Sequence, residues 1–141
     1  MNEQQAVLAT LEDYATSYCE KDIDGLMNVF ADGDGISLIG TGADELCGGR
    51  EAVRKVFLRN FEEATAKQFE WHWKHIIILD VQAVVSITLT IHLDYHGQDI
   101  KVPVRWTVAL SKQGGQWRWL HRHASAAASS QDSGTAYPTE A

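Results

Sequence analysis

Two stretches of alternating apolar residues on either side of His96-Gly97 constrain the fold of this 141-residue chain most strongly. Residues 85–93 alternate aliphatic side chains with small or polar ones, which is the period of a half-buried β-strand. A two-residue turn at His96-Gly97 pairs Ile91 with Val102, and the apolar faces of the two strands then coincide. The sequence therefore predicts a β-hairpin with one buried face.

Helical periodicity comes before this hairpin. Apolar residues recur every three or four positions in residues 3–20, from Asp22 onward, and in residues 50–65, which predicts three amphipathic helices. Between the second and third helices, Ile36 to Gly40 is predicted as a short strand and Thr41 to Gly49 as a polar loop.

From Gln68 onward the apolar period is two, which predicts two further strands around the hairpin. One face of the strand before the hairpin is expected to hold Phe69, Trp71, Trp73, His75 and Ile77. One face of the last strand is expected to hold Trp117, Trp119, His121, His123 and Ser125.

The position of the two histidines relative to Arg105 depends on the turn before the last strand. A two-residue turn at Gly114-Gly115 pairs Trp106 with His123 and puts the histidines on the face away from Arg105. A three-residue loop pairs Arg105 with His123 and Thr107 with His121. We favour the three-residue loop because a glycine bulge commonly accompanies it.

Three helices followed by an antiparallel meander define an α+β fold, in which the helices pack on one face of a strongly curved, mainly antiparallel sheet. Residues 1–125 form this domain. Residues 126–141 are rich in alanine, serine and threonine, and are predicted to be a disordered low-complexity tail.

Composition excludes several classes of function. The net charge of -7 argues against general binding to nucleic acid or to a membrane surface. Cys19 and Cys47 do not form a motif, and are expected to be free thiols in a reducing compartment. Neither a signal peptide nor a membrane span is evident, so we expect a cytoplasmic protein.

Several residues and the order of elements resemble the SnoaL-like branch of the nuclear transport factor 2 superfamily. These residues are Gly48-Gly49-Arg50-Glu51-Ala52-Val53, Arg105-Trp106-Thr107 and the closing Trp117-x-x-x-His121-x-His123-x-Ser125. The closing motif also resembles the association domain of calmodulin-dependent kinases. The resemblance implies a cone-like pocket between helices and sheet, and a homodimer. The exposed second face of the sheet independently favours a homodimer.

Arg105 is the most informative charged residue, because the hairpin places it mid-strand opposite Thr88. A buried guanidinium needs a carboxylate, carbonyl groups or a bound anion, so Arg105 is either an ion-pair partner or a ligand contact. In the kinase association domain an arginine of the corresponding strand faces the cavity, which favours the ligand contact.

His121 and His123, together with His75, could in principle provide three ligands to zinc. Two histidines at this spacing occur on many strands without metal, and no carboxylate or thiol lies beside them. We therefore predict no metal and no other cofactor.

The resemblance also implies what a catalytic member would need. The ketosteroid isomerases of the superfamily carry a carboxylate on the short strand that here reads Ile36 to Gly40, and a second acid near Val108 and Ala109. Neither acid is present. Epoxide hydrolases need an Asp-Arg-Asp cluster, whereas the neighbours of Arg105 on its face are Pro103 and Thr107. Neither mechanism is supported.

Three functions remain open, and the sequence does not decide whether the chain is an enzyme. The first is a small-molecule-binding domain that holds a hydrophobic or anionic ligand, such as a carboxylate, through Arg105. The second is an isomerase, cyclase or hydrolase that acts on a hydrophobic cyclic substrate with a pocket histidine. The third is a dimerisation or assembly module. The predicted ligand-binding residues are Tyr14, Tyr18, Trp71, His75, Arg105, His121 and His123.

Overall fold

Three helices lead into a six-stranded sheet, as the periodicity predicts. The computed structural model describes residues 1–139. The helices are α1 (Glu3–Cys19), α2 (Ile23–Asn28) and α3 (Arg50–Glu63). The strands are β1 (Ser37–Ile39), β2 (Leu46–Gly48), β3 (Thr65–Leu79), β4 (Gln82–Tyr95), β5 (Gln98–Gln113) and β6 (Gln116–Ser125). The predicted α+β class and the curved, mainly antiparallel sheet are confirmed.

Local signals explain where the first two helices begin. Asn2 and Gln5 form a reciprocal capping box that satisfies two free N–H groups at the start of α1. The carboxylate of Asp22 accepts a hydrogen bond from the Gly25 N–H at the start of α2. Each helix therefore begins within a residue of its predicted start. No helix within residues 1–139 is long and apolar enough to cross a membrane.

The sheet has the order β2-β1-β6-β5-β4-β3, and all neighbouring strands are antiparallel except β1 and β6. The predicted β4–β5 register is confirmed at every pair, including Ile91 with Val102 and Thr88 with Arg105. The segment predicted as a polar loop, Thr41 to Gly49, is not wholly irregular, because it contains β2. A turn at its start lets Gly40 donate to the Glu45 carbonyl at 2.9 Å, which brings β2 alongside β1.

The helices cover one face of the sheet, which we call the inner face; the other is the outer face. The core lies between helices and inner face and is unusually aromatic. Its largest fully buried side chains include Tyr14, Phe30, Phe57 and Trp119. Tyr14 stacks on Trp119 with ring centroids 4.8 Å apart, and meets Trp106 edge-on at 5.0 Å. The first helix is thereby fixed to the centre of the sheet.

A bulge in β3 corrects the predicted face of that strand. Trp71 pairs with Leu89 and Lys74 with Ile87, so β3 has one extra residue between these pairs. Because side chains alternate between faces, one extra residue exchanges inside and outside. Phe69 and Trp71 face the helices, as predicted. The prediction that Trp73, His75 and Ile77 share their face is wrong, because they lie on the outer face.

A bulge at Leu120 in β6 likewise changes which side chains of the last strand share a face. The turn before β6 has two residues, because Gln113 pairs with Gln116. Further along, Trp119 pairs with Leu110 and His121 pairs with Ala109, so Leu120 is an extra residue in β6. The predicted three-residue loop is therefore wrong, and so is the prediction of one continuous face. Trp117 and Trp119 are buried on the inner face, whereas His121, His123 and Ser125 lie on the outer face.

Residues 126–139 form a series of turns after β6. The Gln131 amide donates to the Thr135 carbonyl at 2.8 Å, and the Thr135 hydroxyl donates to the Asp132 carbonyl at the same distance. The Tyr137 side chain is exposed, and no large apolar side chain of residues 126–139 is buried against the domain. Its predicted disorder stays a prediction, and residues 140–141 lie outside the described part of the chain.

Candidate functional site

A cavity of about 120 Å³ lies between α1, α3 and the inner face of the sheet. Aromatic rings of Tyr14, Phe69 and Trp106 form one part of its wall. Aliphatic side chains of β4 and β5 form another part, namely Ile91, Val102 and Val104. The cavity lining therefore combines aromatic and aliphatic side chains with polar groups, as small-molecule sites do.

Arg122 is the only cation of this cavity lining, and it is 8% exposed. The Leu120 bulge turns its side chain to the inner face, where the guanidinium carbon lies 5.2 Å from the centre of the Trp106 ring. Its Nε has no hydrogen-bond partner within residues 1–139. None of the ion pairs formed by these residues includes Arg122.

A second donor in the lining also lacks an acceptor. The indole N–H of Trp106 is buried and has no hydrogen-bond partner among the described residues. Buried N–H groups are nearly always paired, so two unpaired donors in one lining are an unusual combination. Burial raises the pKa of the Tyr14 hydroxyl, and the nearby Arg122 charge lowers it. The cavity lining therefore contains two N–H donors that are unpaired within the described residues, one of them on a cation.

Glu45 is the single carboxylate of the cavity lining. Its Oε1 accepts from the Gly42 N–H at 2.7 Å, and its Oε2 accepts from Arg59 Nη2 at 2.8 Å. Arg59 also donates to Asp44 at 3.2 Å, outside the lining. The β1–β2 turn and α3 together hold Glu45 in place, with 15% of its side chain exposed.

The predicted ligand residues divide into two groups. Tyr14 and Tyr18 line the cavity, as predicted from their spacing on α1. Trp71 contacts the Trp106 ring with centroids 5.9 Å apart, but its indole N–H donates to Glu12 at 2.7 Å and it lies outside the lining.

The other four predicted residues, His75, Arg105, His121 and His123, lie on the outer face. Arg105 is exposed, and donates from Nε to the Ser125 hydroxyl at 3.2 Å and from Nη2 to the Ala126 carbonyl at 3.4 Å. His121 Nδ1 lies 2.7 Å from the Ser37 hydroxyl, and burial followed by the His123 charge lowers its pKa. The seven residues therefore do not form one pocket.

The three histidines considered as zinc ligands are also separated. His75 lies on β3 and His123 on β6, three strands away in the sheet. At about 4.8 Å between neighbouring strands, their backbones are roughly 14 Å apart, too far for one ion. Within residues 1–139, no group of three or more histidine, cysteine or acidic side chains is arranged to hold a metal.

Sequence reasoning missed both charged residues of the cavity. Regular alternation in residues 117–125 puts Arg122 on the face of the strand away from the tryptophans, and only the bulge brings it to their face. Glu45 belongs to the β1–β2 turn, where its carboxylate accepts hydrogen bonds from Gly42 and Arg59. A turn of this length has no periodic signal in the sequence.

This architecture, three helices on a curved sheet with a cavity between them, defines the cone fold of nuclear transport factor 2-like proteins. The SnoaL-like domain family matches residues 7–129, and the chain belongs to that family. No curated protein matches the chain by sequence.

Solved structures are similar over most of their length. A nuclear transport factor 2-like protein of unknown function from Pseudomonas putida is 22% identical, with a TM-score of 0.74 over 89% of both chains. A candidate dehydratase of the same fold from Streptomyces avermitilis is 17% identical, with a TM-score of 0.76 over 86% of this chain and 93% of that one. A candidate calcium/calmodulin-dependent protein kinase II association domain from Xanthomonas campestris is 21% identical, with a TM-score of 0.75 over 89% of both chains. At these identities the likeness establishes the fold.

Proposed function

We propose that the chain binds a small organic anion, in the simplest case a carboxylate, in the inner cavity. The observation that carries this proposal is the buried guanidinium of Arg122, whose Nε has no partner within residues 1–139. Removing an arginine charge from water is costly unless an anion or acceptor compensates it. A bound carboxylate supplies that compensation through charge-assisted hydrogen bonds. The predicted ligand class is retained, and the binding role moves from Arg105 to Arg122.

The cavity also restricts the size of the ligand. A cavity of about 150 Å³ engineered in another protein admits benzene. The present cavity, at about 120 Å³, is slightly smaller but is not closed. A short branched acid such as isovalerate matches this volume, and a ring acid such as benzoate would extend partly through the opening, so both are suitable probes.

We expect Arg122→Gln to weaken benzoate binding by about 10- to 100-fold, because a hydrogen bond to a charged group contributes about 1.5–3 kcal/mol. Arg105→Gln is the matched control: the same substitution on the outer face, outside the cavity lining. It is expected to change benzoate affinity by less than about twofold. Isothermal titration calorimetry on the full chain measures both.

Two results would contradict the proposal. One is the absence of binding by the unchanged protein to any acid of a panel of small carboxylates. The other is a loss of affinity in Arg105→Gln that equals or exceeds the loss in Arg122→Gln, which would return the ligand to the outer face. Circular dichroism of each variant checks that the fold is retained.

The enzyme alternative depended on a pocket histidine. The sequence has six histidines, and none of them lines the cavity. This arrangement favours a binding function over acid–base catalysis by histidine. The similar protein from Streptomyces avermitilis is a candidate dehydratase, but that description applies to that protein, and no histidine lines the cavity of this chain.

The outer face supports the proposal of a homodimer, in which two copies pack sheet against sheet. Trp73 is 59% exposed, and Ile77 and Val84 are also exposed on this face. Exposed apolar groups on one continuous face are typical of interaction surfaces. We expect sedimentation at micromolar concentration to give twice the 15.7 kDa chain mass.

Thr107 lies near the centre of the outer face, where it pairs with Ser86 and His123. Thr107→Glu would place two buried carboxylates in a symmetric interface, and is expected to give monomers. Val81→Glu, in the β3–β4 turn, is the control and should sediment as the unchanged protein does. A monomeric unchanged protein at these concentrations would overturn the proposal.

A further inference from the structure

The cavity lining carries one charge of each sign. Arg122 lies on β6 and Glu45 on the β1–β2 turn, and both line the cavity. The Tyr18 hydroxyl lies within the field of both. Burial and the neighbouring Tyr14 raise its pKa most, and among the smaller contributions Arg122 lowers it and Glu45 raises it. A ligand in the cavity is therefore exposed to both charges.

The two charges differ in how they are compensated. Glu45 already accepts hydrogen bonds on both oxygens, from Gly42 and from Arg59. Arg59 lies outside the lining, with 49% of its side chain exposed, and it also binds Asp44. Glu45 thus has an ion-pair partner outside the lining, which it shares with Asp44, whereas Arg122 has no ion-pair partner among the described residues. Arg122 is therefore the charge of the lining that a bound anion can pair with.

A ligand with one negative charge matches this lining. Its anionic group pairs with Arg122, and the remainder contacts Phe69, Val104 and the other apolar groups of the wall. A second negative charge would find no free cation in the lining, and would approach the Glu45 carboxylate. Like charges in a poorly hydrated site repel each other strongly.

We propose that Glu45 makes this cavity selective for monoanionic acids with a compact apolar group, against phosphate monoesters, phosphonate dianions and dicarboxylates. The inference rests on the proposed binding of an anion by Arg122. Specificity of this kind arises from an unfavourable contact with the wrong ligand as much as from favourable contacts with the right one.

The experiment compares two probes that share shape but differ in charge. Benzenesulfonate carries one negative charge, and phenylphosphonate at pH 8.5 carries two on a similar tetrahedral group. The unchanged protein is expected to bind benzenesulfonate at least about tenfold more tightly than phenylphosphonate. A repulsive contact of moderate strength between the second ligand charge and Glu45 corresponds to about this factor in affinity. Benzoate is titrated alongside as the planar reference.

Glu45→Gln removes the charge and keeps the side-chain shape and an acceptor for Gly42. We expect it to raise the affinity for phenylphosphonate by about tenfold and to change the affinity for benzenesulfonate less. Asp44→Asn is the matched control for net charge, because it removes a carboxylate that pairs with the same Arg59 but lies outside the cavity lining. It should change the ratio of the two affinities much less than Glu45→Gln does.

Arg59→Gln tests the same contact in the opposite direction and leaves Glu45 in place. Without the Arg59 guanidinium, the Glu45 charge acts more strongly on the cavity, so phenylphosphonate should lose more affinity than benzenesulfonate. This variant keeps the inference testable if Glu45→Gln does not fold.

The outcomes separate the inference from the binding proposal. If benzoate binds through Arg122 and phenylphosphonate binds the unchanged protein equally well, monoanion selectivity is wrong and the binding proposal stands. An equal gain of phosphonate affinity in Glu45→Gln and Asp44→Asn also overturns the inference, because the gain would then come from the overall surface charge and not from a contact with Glu45. If neither benzoate nor benzenesulfonate binds the unchanged protein, both proposals fail.

Discussion

Trp119→Ala is expected to lower the free energy of unfolding by about 3–5 kcal/mol, the range for removing a fully buried large aromatic side chain. Trp119 is 0% exposed, stacks on Tyr14 at 4.8 Å and meets Phe30 edge-on at 5.6 Å. A domain of this size is typically stable by about 5–15 kcal/mol, so the loss is a large share of the total. Urea denaturation followed by circular dichroism measures it.

A hydrogen bond contributes to this effect and can be separated from packing. The Trp119 indole N–H donates to the Thr10 hydroxyl at 2.8 Å, and that hydroxyl donates to the Val7 carbonyl at 2.6 Å. Thr10→Val removes the acceptor and leaves the ring in place, which should cost about 1–3 kcal/mol because a buried donor is left unpaired. Trp119→Phe keeps most of the stacking and should fall between the two. A Trp119→Ala effect below about 1 kcal/mol would show that the core adjusts around the missing ring.

The sequence was sufficient to predict the parts of the fold in which local and long-range signals agree. The β4–β5 hairpin is the best example. The His96-Gly97 turn and the coincidence of apolar faces each specify the same register, and every predicted pair is present. The starts of the first two helices, predicted from apolar periodicity, coincide with side-chain caps at Asn2 and Asp22, which act over three residues.

The charged residues of the cavity could not be predicted in the same way. The β6 bulge lies at Leu120, where two apolar residues are adjacent in an otherwise alternating strand, and this adjacency alone does not distinguish a bulge from an apolar side chain on the other face. The bulge is determined by tertiary packing, since Trp119 must reach Tyr14 while the strand still pairs with β1. One extra residue then moves Arg122 inward and the two histidines outward, and the predicted site divides between two faces.

Arg122→Met is expected to raise the free energy of unfolding of the ligand-free protein by about 1–2 kcal/mol, against the usual trend for buried substitutions. The guanidinium is buried and its Nε has no partner within the described residues, so the folded state bears a desolvation cost that methionine does not. The loss of the Trp106 contact, at 5.2 Å, offsets part of the gain by about 0.5–2 kcal/mol. Residues selected for binding commonly reduce stability in this way.

Bound ligand is expected to reverse the order of stability of Arg122→Met and the unchanged protein. A ligand that binds only the folded state stabilises it by about 2.7 kcal/mol at 100 times its dissociation constant. Benzoate at that concentration should therefore raise the stability of the unchanged protein much more than that of Arg122→Met, and the order of the two stabilities is expected to reverse as benzoate approaches saturation of the unchanged protein. Arg105→Met is the control on the outer face, where loss of an exposed contact to Ser125 should change stability by less than about 0.5 kcal/mol.

Urea titrations of the three proteins, with and without benzoate, measure all of these differences. Destabilisation of Arg122→Met by more than about 2 kcal/mol without ligand would mean that an internal acceptor already compensates the guanidinium, since breaking a satisfied buried charge pair costs about 3–5 kcal/mol. A benzoate response as large in Arg122→Met as in the unchanged protein would place the anion elsewhere. The crossing of the two stabilities, with Arg122→Met ahead in the absence of benzoate and the unchanged protein ahead at saturation, is the result that requires an anion at Arg122.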